Sequence, residues 1–340
     1  MNIVDPPARL FTPAPPEEAG GTVGDHAMAH DVAAPVKVLY IAGYGRGGTT
    51  LIDIALGEHP AVMGAGEIAT LARHVWVNGE YCACGTAVRS CQVWSAIVRD
   101  WTADEPRSSM DDYRRSQERT ETIAGFGRAV ERRGGSGHAR RTEKLFRSIV
   151  ARSGKAIVVD SSKLPGRGFA LAEMPGIDLY VIHVVRDARG VAWSMRKGFR
   201  RQVDKGLQRD LHPKPLTYTA LRWSIVNLAT ELLCRRLGPG RSLRVRYEDF
   251  VDAPIATRAR ILALVGERVQ PGLADAPIRP QHQVAGSRHR MQSAITIKRD
   301  EGWKSAMPRL QQAWVALVTA PLLRRYGYPL RPSDRSGRAS

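Results

Sequence analysis

Residues 36–50 read VKVLYIAGYGRGGTT, an apolar run that breaks into four glycines within six positions and ends on two threonines. A run of Val, Leu, Tyr and Ile this short reads as a buried strand. The stretch TTLIDIALGEHP beyond it reads as a helix of two or three turns, stopped by Gly57 and Pro60. A strand that passes into a helix through glycines aims backbone N–H groups and the positive end of a helix dipole at one point, which suits a phosphate. The spacing of Gly43, Gly48 and Thr50 is that of a nucleoside-triphosphate loop, except that Thr49 stands where a lysine would reach the β- and γ-phosphates. The nearest cation is Arg46, inside the loop. The predicted ligand therefore carries a phosphate but does not need the lysine grip.

The rest of the chain supplies a sheet to carry such a loop. AVMGAGE reads as a second strand ending near Glu67, KAIVVDSS (155–162) and IDLYVIHVVRD (177–187) as further buried strands, and SLRVRYEDF as another. Nearly continuous apolar runs of this kind suit a parallel sheet covered on both faces. Helices are expected near 165–174, through RGVAWSMRK, through LTYTALRWSIVNLATELLCRRLG, and near 255–266 and 307–325. The expected fold class is α/β, with one domain over 35–330 whose central parallel sheet is flanked by helices. Residues 68–152 supply a helical insertion or lid. Within it, 105–152 alternates Arg and Glu, which reads as solvated helix faces. Residues 1–34 read as disordered and 331–340 as a flexible tail.

In an open α/β sheet, ligands bind beyond the carboxyl ends of the strands. HVVRDARGVAWSM places Arg186 at such an end and Ser194 about two helical turns later, where the pair can grip a second phosphate. GYGRGGTTLIDIALGEHP together with HVVRDARGVAWSM resembles the sulfotransferases that use 3′-phosphoadenosine 5′-phosphosulfate (PAPS), in motif spacing and in order along the chain. The resemblance spans about 36–310 and implies a P-loop-like sulfotransferase fold of the bacterial kind. It assigns Arg46, Gly47, Gly48, Thr49 and Thr50 to the 5′-phosphosulfate, and Arg186 and Ser194 to the 3′-phosphate. It makes Glu67 the base that takes the acceptor hydroxyl proton. KRDEGWK resembles the late segment that closes over the nucleotide, with Trp303 and Lys304. HQVAGSRHR resembles a segment in which Arg290 contacts the donor, with Ser287 in place of an asparagine. Lys163, after another strand end, is a second-rank candidate to stabilise the developing charge. PAPS has no β- or γ-phosphate and implies no metal in the reaction, which accounts for the missing lysine.

Two other readings compete. An ATP-dependent kinase would need an acidic magnesium ligand, and Asp160 is the candidate. A basic nucleotide- or RNA-binding module would use the net charge of +18. The basic residues are scattered, with no zinc-finger, RNP or helix-turn-helix pattern, so no nucleic-acid partner is expected. The acceptor is expected to be a hydroxyl of a small molecule, glycan or lipid. His59 and His183 are poorer bases, the first beside a helix-stop proline and the second inside a strand, while His282 is a candidate for the acceptor side.

No apolar stretch reaches the length of about 18 residues that a transmembrane helix needs. The proline-rich, acidic start lacks the pattern of a signal peptide, so a cytoplasmic location is expected. Cys82, Cys84 and Cys91 cluster in YCACGTAVRSC without an evident fourth ligand, which reads as a structural loop or redox-dependent bridge ahead of a metal site. Cys234 reads as core.

Overall fold

The computed structural model describes residues 34–104, 109–121, 137–202, 208, 210–269 and 277–331. The segments expected to be disordered or flexible, 1–34 and 331–340, lie outside these residues except for Ala34 and Arg331. In chain order the main elements are β1 (Val36–Gly43), α1 (Thr49–Gly57), β2 (Val62–Gly64), α2 (Gln92–Thr102), α3 (Ser109–Thr120) and α4 (Gly137–Ser153). Then come β3 (Ile157–Lys163), α5 (Pro165–Ala172), β4 (Ile177–Val185), α6 (Ala188–Met195) and α7 (Leu216–Leu237). The last are β5 (Ser242–Arg246), α8 (Tyr247–Asp252), α9 (Pro254–Leu264), α10 (Trp303–Ala306) and α11 (Arg309–Arg325).

The five strands form one sheet in the order β2-β3-β1-β4-β5, every pair parallel. The chain starts in the middle with β1, goes to the edge strand β2, returns with β3 between them, then crosses to the other side through β4. That reversal leaves a crevice at the carboxyl ends of the strands beside β1. The period-2 pleat sends Val38 and Tyr40 to one face, with α2, α4 and α5, and Leu39 and Ile41 to the other, with α1 and residues of α8 and α9. A third apolar cluster joins α6, α7 and α11. Among the described residues no helix is long and apolar enough to cross a membrane.

Two expectations are corrected. The strand expected through SLRVRYEDF ends at Arg246, and Tyr247 starts a helix whose first turn carries Glu248 and Asp249, the charge that a helix N-terminus favours. The 105–152 region is solvated on only one side in its described parts, where Asp111, Asp112, Arg115 and Glu118 are exposed. Tyr113, Leu145, Phe146 and Ile149 are core residues, and Glu121 and His138 are buried with them. Charge alternation hid an apolar stripe on each helix, and two of the charged groups are themselves interior. The buried Arg167 bonds both Asp160 of β3 and Glu121 at the end of α3, which ties this helical layer to the sheet.

Candidate functional site

Every strand delivers a candidate residue to the same edge of the sheet. The glycine loop follows β1, Glu67 follows β2, Lys163 ends β3, Arg186 follows β4, and Tyr247 follows β5. The loop turns into α1 at Gly48, which sits at φ 90° as the N-cap. A Cβ there would lie 2.4 Å from a ring carbon of Tyr247, so both the backbone and the neighbour require glycine. The first N–H groups of α1 have no intrahelical partners. Gly48 offers no side chain to cap them, and the first turn carries no acid. Thr49 is buried, and the Thr50 hydroxyl accepts a bond from the Ser287 N–H at 3.3 Å.

Cations crowd this helix start. Burial lowers the pKa of Arg46, and nearby Arg288 and Arg186 push the same way while Glu67 opposes them. The guanidinium groups of Arg46 and Arg288 lie 5.8 and 5.2 Å from the Phe199 ring centroid. Among the described residues, neither has a carboxylate within ion-pair distance. Arg186 is held tightly. It donates to the Arg46 carbonyl at 3.1 Å and to the Asp300 carbonyl and carboxylate at 2.8 and 3.0 Å, and it stacks 4.4 Å from the Tyr247 ring centroid. Asp300 itself is solvent-exposed. A neighbourhood of converging, under-neutralised guanidiniums at an uncapped helix start has the charge and the donors that suit an anion.

Beside it, Lys163 Nζ donates a short hydrogen bond to Glu67 Oε1 and another to the Ser161 carbonyl at 3.2 Å. The Glu67 backbone is fixed by its N–H on the Val284 carbonyl at 2.8 Å. The preceding Gly66 donates to Asp53 at 3.0 Å. Arg46, Lys163 and Ala285 are the non-glycine residues at positive φ among those described; Arg46 lies in the glycine loop, Lys163 ends β3, and Ala285 precedes Gly286, where a Cβ would lie 3.3 Å from Glu67 Oε1. Such backbone strain is held only where the surroundings over-determine it. A cavity of about 240 Å³ opens between the loop and this pair, lined among others by Gly43, Tyr44, Glu67, Lys163, Arg73 and Arg222. Its walls thus come from the 68–152 region and also from α7.

The remaining candidates fall as follows. Ser194 lies half-buried on α6. Trp303 is buried against α6, where a Cβ on Gly190 would come within 2.9 Å of its indole nitrogen. Lys304 is exposed and bonds Glu301 at 2.7 Å. Arg290 is buried and donates to the Tyr81 carbonyl at 3.3 Å, which ties it to the cysteine loop. His183 is interior, on Asn227 at 2.9 Å, and desolvation pushes its pKa down to about 4. His59 bonds the Arg268 carbonyl. His282 faces the cysteine cluster, its Nδ1 3.7 Å from Cys82 Sγ and 3.5 Å from Cys91 Sγ. Asp160 is committed to Arg167 and Ser162 in the interior. Sequence reasoning missed Arg288, Tyr247, Phe199 and Arg222. Arg288 alone carried a signal, two positions before Arg290 in an already suspect segment.

The sulfotransferase-family model matches residues 39–271, and the chain belongs to that family. Human carbohydrate sulfotransferase 3 is 28% identical over 171 residues, 47% of this chain and 36% of that protein, so the match spans about a third of the relative's length. Among solved structures, the sulfotransferase domain from the curacin biosynthetic pathway superposes with a TM-score of 0.53 at 16% identity, covering 88% of this chain and 99% of that one. The sulfotransferase domain of the Synechococcus PCC 7002 olefin synthase gives a TM-score of 0.49 at 19% identity, covering 88% and 97%. The single α/β fold is that of the curacin-pathway domain.

Proposed function

We propose that the protein transfers the sulfuryl group of PAPS to an acceptor hydroxyl, with Glu67 as general base. The observation that carries this reading is the placement of the glycine loop, the Arg186 strand end and the Glu67–Lys163 pair around one crevice. The 5′-phosphosulfate rests on the α1 N-terminus, Thr49, Thr50 and Arg46. The 3′-phosphate takes Arg186 in competition with the exposed Asp300, with Ser194 as a second donor. Trp303 supports α6 from behind, while Arg290 and Lys304 act at most through the segments they brace.

The acceptor enters from the cavity. Its oxygen attacks sulfur in line as Glu67 takes the proton, the S–O bond to the donor's 5′-phosphate breaks, and adenosine 3′,5′-bisphosphate leaves. Charge grows on that bridging oxygen, where preorganised N–H groups and Arg46 meet it without reorganisation. Lys163 orients the Glu67 carboxylate and keeps a cation beside the reacting centre. Arg73 and Arg222 on the cavity wall favour an acceptor that carries negative charge or many hydroxyls, and the carbohydrate sulfotransferase relative supports a glycan among the candidates. Asp160 is already paired inside the protein, which argues against its service as a magnesium ligand.

Calorimetric titration tests the reading. Adenosine 3′,5′-bisphosphate should bind without Mg²⁺ and more tightly than 5′-AMP or ATP. Arg186→Ala should cost the bisphosphate about 10- to 150-fold, the loss of charge-assisted hydrogen bonds, and leave 5′-AMP nearly unchanged. Tighter binding of Mg²⁺–ATP, with indifference to the substitution, would refute it.

A further inference from the structure

The sequence shows three cysteines in ten residues and no fourth ligand. The fold brings that ligand from about 200 positions away. One ligand atom each from Cys82, Cys84, Cys91 and His282 lies within 4.8 Å of all the others. We propose that these four side chains form a structural zinc site of the Cys₃His type.

Zinc–sulfur bonds of about 2.3 Å and zinc–nitrogen bonds of about 2.05 Å at tetrahedral angles place sulfur about 3.6 Å from nitrogen. The two measured sulfur–nitrogen separations, 3.7 Å from Cys82 and 3.5 Å from Cys91, bracket that value. Three thiolates and an imidazole select zinc over the hard cations that prefer carboxylates and carbonyls. Four protein ligands close the coordination sphere, which marks a structural site rather than a catalytic one. Cys82 and Cys91 are buried, His282 is half-buried and Cys84 is exposed, which gives the ion a way in.

The surrounding framework holds the ligands in place. Cys82 donates its N–H to the Thr86 carbonyl at 2.9 Å, and Ala83 donates to Gln283 at 3.1 Å. The buried Trp94 indole donates to the His282 carbonyl at 2.6 Å.

The clasp also reaches the site. Val284, two residues after His282, bridges both Cys82 and Gly66, the residue before Glu67. Three residues further, Ser287 bonds Thr50 at the start of α1. Zinc would thus fix the strap that carries Arg288 and supports the Glu67 backbone. Nothing in this assignment depends on the donor or the acceptor, because the test reads metal.

Protein purified with reductant and without chelator, then dialysed against metal-free buffer, should hold about one zinc per chain by elemental mass spectrometry. Cobalt replacement should show thiolate-to-metal charge transfer and tetrahedral ligand-field absorption. Cys84→Ser and His282→Ala should each weaken zinc at least about 100-fold, beyond the usual outer-shell effect, in competition with a chromophoric chelator. Cys234→Ser, outside the cluster, should retain the metal. Stripping zinc should raise amide exchange in 80–92 and 282–290. Wild-type protein that neither retains zinc nor takes it up on titration overturns the proposal. So does a Cys82–Cys91 disulfide found by non-reducing peptide mass analysis. If either ligand variant fails to fold, the wild-type metal content and cobalt spectrum still decide.

Discussion

Arg167 carries a larger structural load than its position in a short helix suggests, and replacing it with methionine tests that. Its side chain is fully buried, with Nε on Asp160 at 2.7 Å and Nη1 on Glu121 at 2.5 Å. Burial alone would raise the Glu121 pKa, but Arg167, helped by His138, holds it below the usual range. Arg167→Met keeps much of the volume and strands two interior carboxylates. Removing one partner of a buried pair costs about 3–5 kcal/mol. A stranded carboxylate can escape by taking a proton, which at pH 7 costs about 4 kcal/mol from an ordinary carboxylate pKa. That ceiling places the variant about 3–8 kcal/mol below wild type at pH 7, comparable to the whole stability of many domains.

The same escape sets the pH signature. The folded variant binds protons that its unfolded chain releases, so its deficit shrinks as pH falls toward 4.5. Urea denaturation of both proteins across pH 4.5–7.5 measures it. A loss under about 1 kcal/mol, or one independent of pH, would refute the argument that this arginine neutralises interior charge. If the variant is too unstable to purify at pH 7, expression and refolding at pH 5 should recover it.

Three further outcomes follow from the site and its supports. Desolvation holds Asp53 up at about 7, against the Gly66 N–H bond that pulls it down. The folded protein therefore keeps a proton that the unfolded chain releases above pH 4, and this group lowers stability as pH rises from 4 to 7. Desolvation holds His183 down at about 4, so the folded protein lacks a proton that the unfolded chain binds, and this group raises stability from pH 4 to 6.5. The two slopes oppose, each at most about 1.4 kcal/mol per pH unit. Thermal melts of Asp53→Asn should expose the rise and those of His183→Gln the fall, and parallel profiles would show that neither group is buried as described. Glu67→Gln should lower kcat about 10²- to 10⁴-fold with any acceptor that screening yields, and shift the Kd for adenosine 3′,5′-bisphosphate by less than threefold. Equal losses in both would make Glu67 a binding residue instead.

What the sequence disclosed and what it withheld divide along a physical line. Strand cores and the glycine loop were readable because their signals are local: short apolar runs, glycines and a helix stop within a dozen residues of one another. Arg186 was readable because the apolar run of β4 stops at Val185 and a charge follows at once. The Arg167 cluster was not, since a glutamate on a helix looks solvated until the cation that neutralises it is known, and Arg167 lies 46 positions from Glu121. His282 was invisible to Cys82 for the same reason. The YEDF break did leave a local mark in two acids where a helix begins, yet the apolar alternation before it suggested a continuing strand.

The long-range pairs share a further property. Arg167 joins the helical layer to β3 just below Lys163, and the cysteine–histidine cluster joins the other end of that layer to the strap behind Glu67. Both fasten the insertion to the edge of the sheet where the candidate base and its lysine stand. A parallel sheet alone positions the glycine loop, because the loop follows directly from β1. The acceptor side has no such strand-encoded anchor, and its geometry depends on contacts between segments far apart in sequence. On the proposed function, donor recognition therefore sits in readable motifs, while acceptor choice sits in the parts of the chain that only folding brings together.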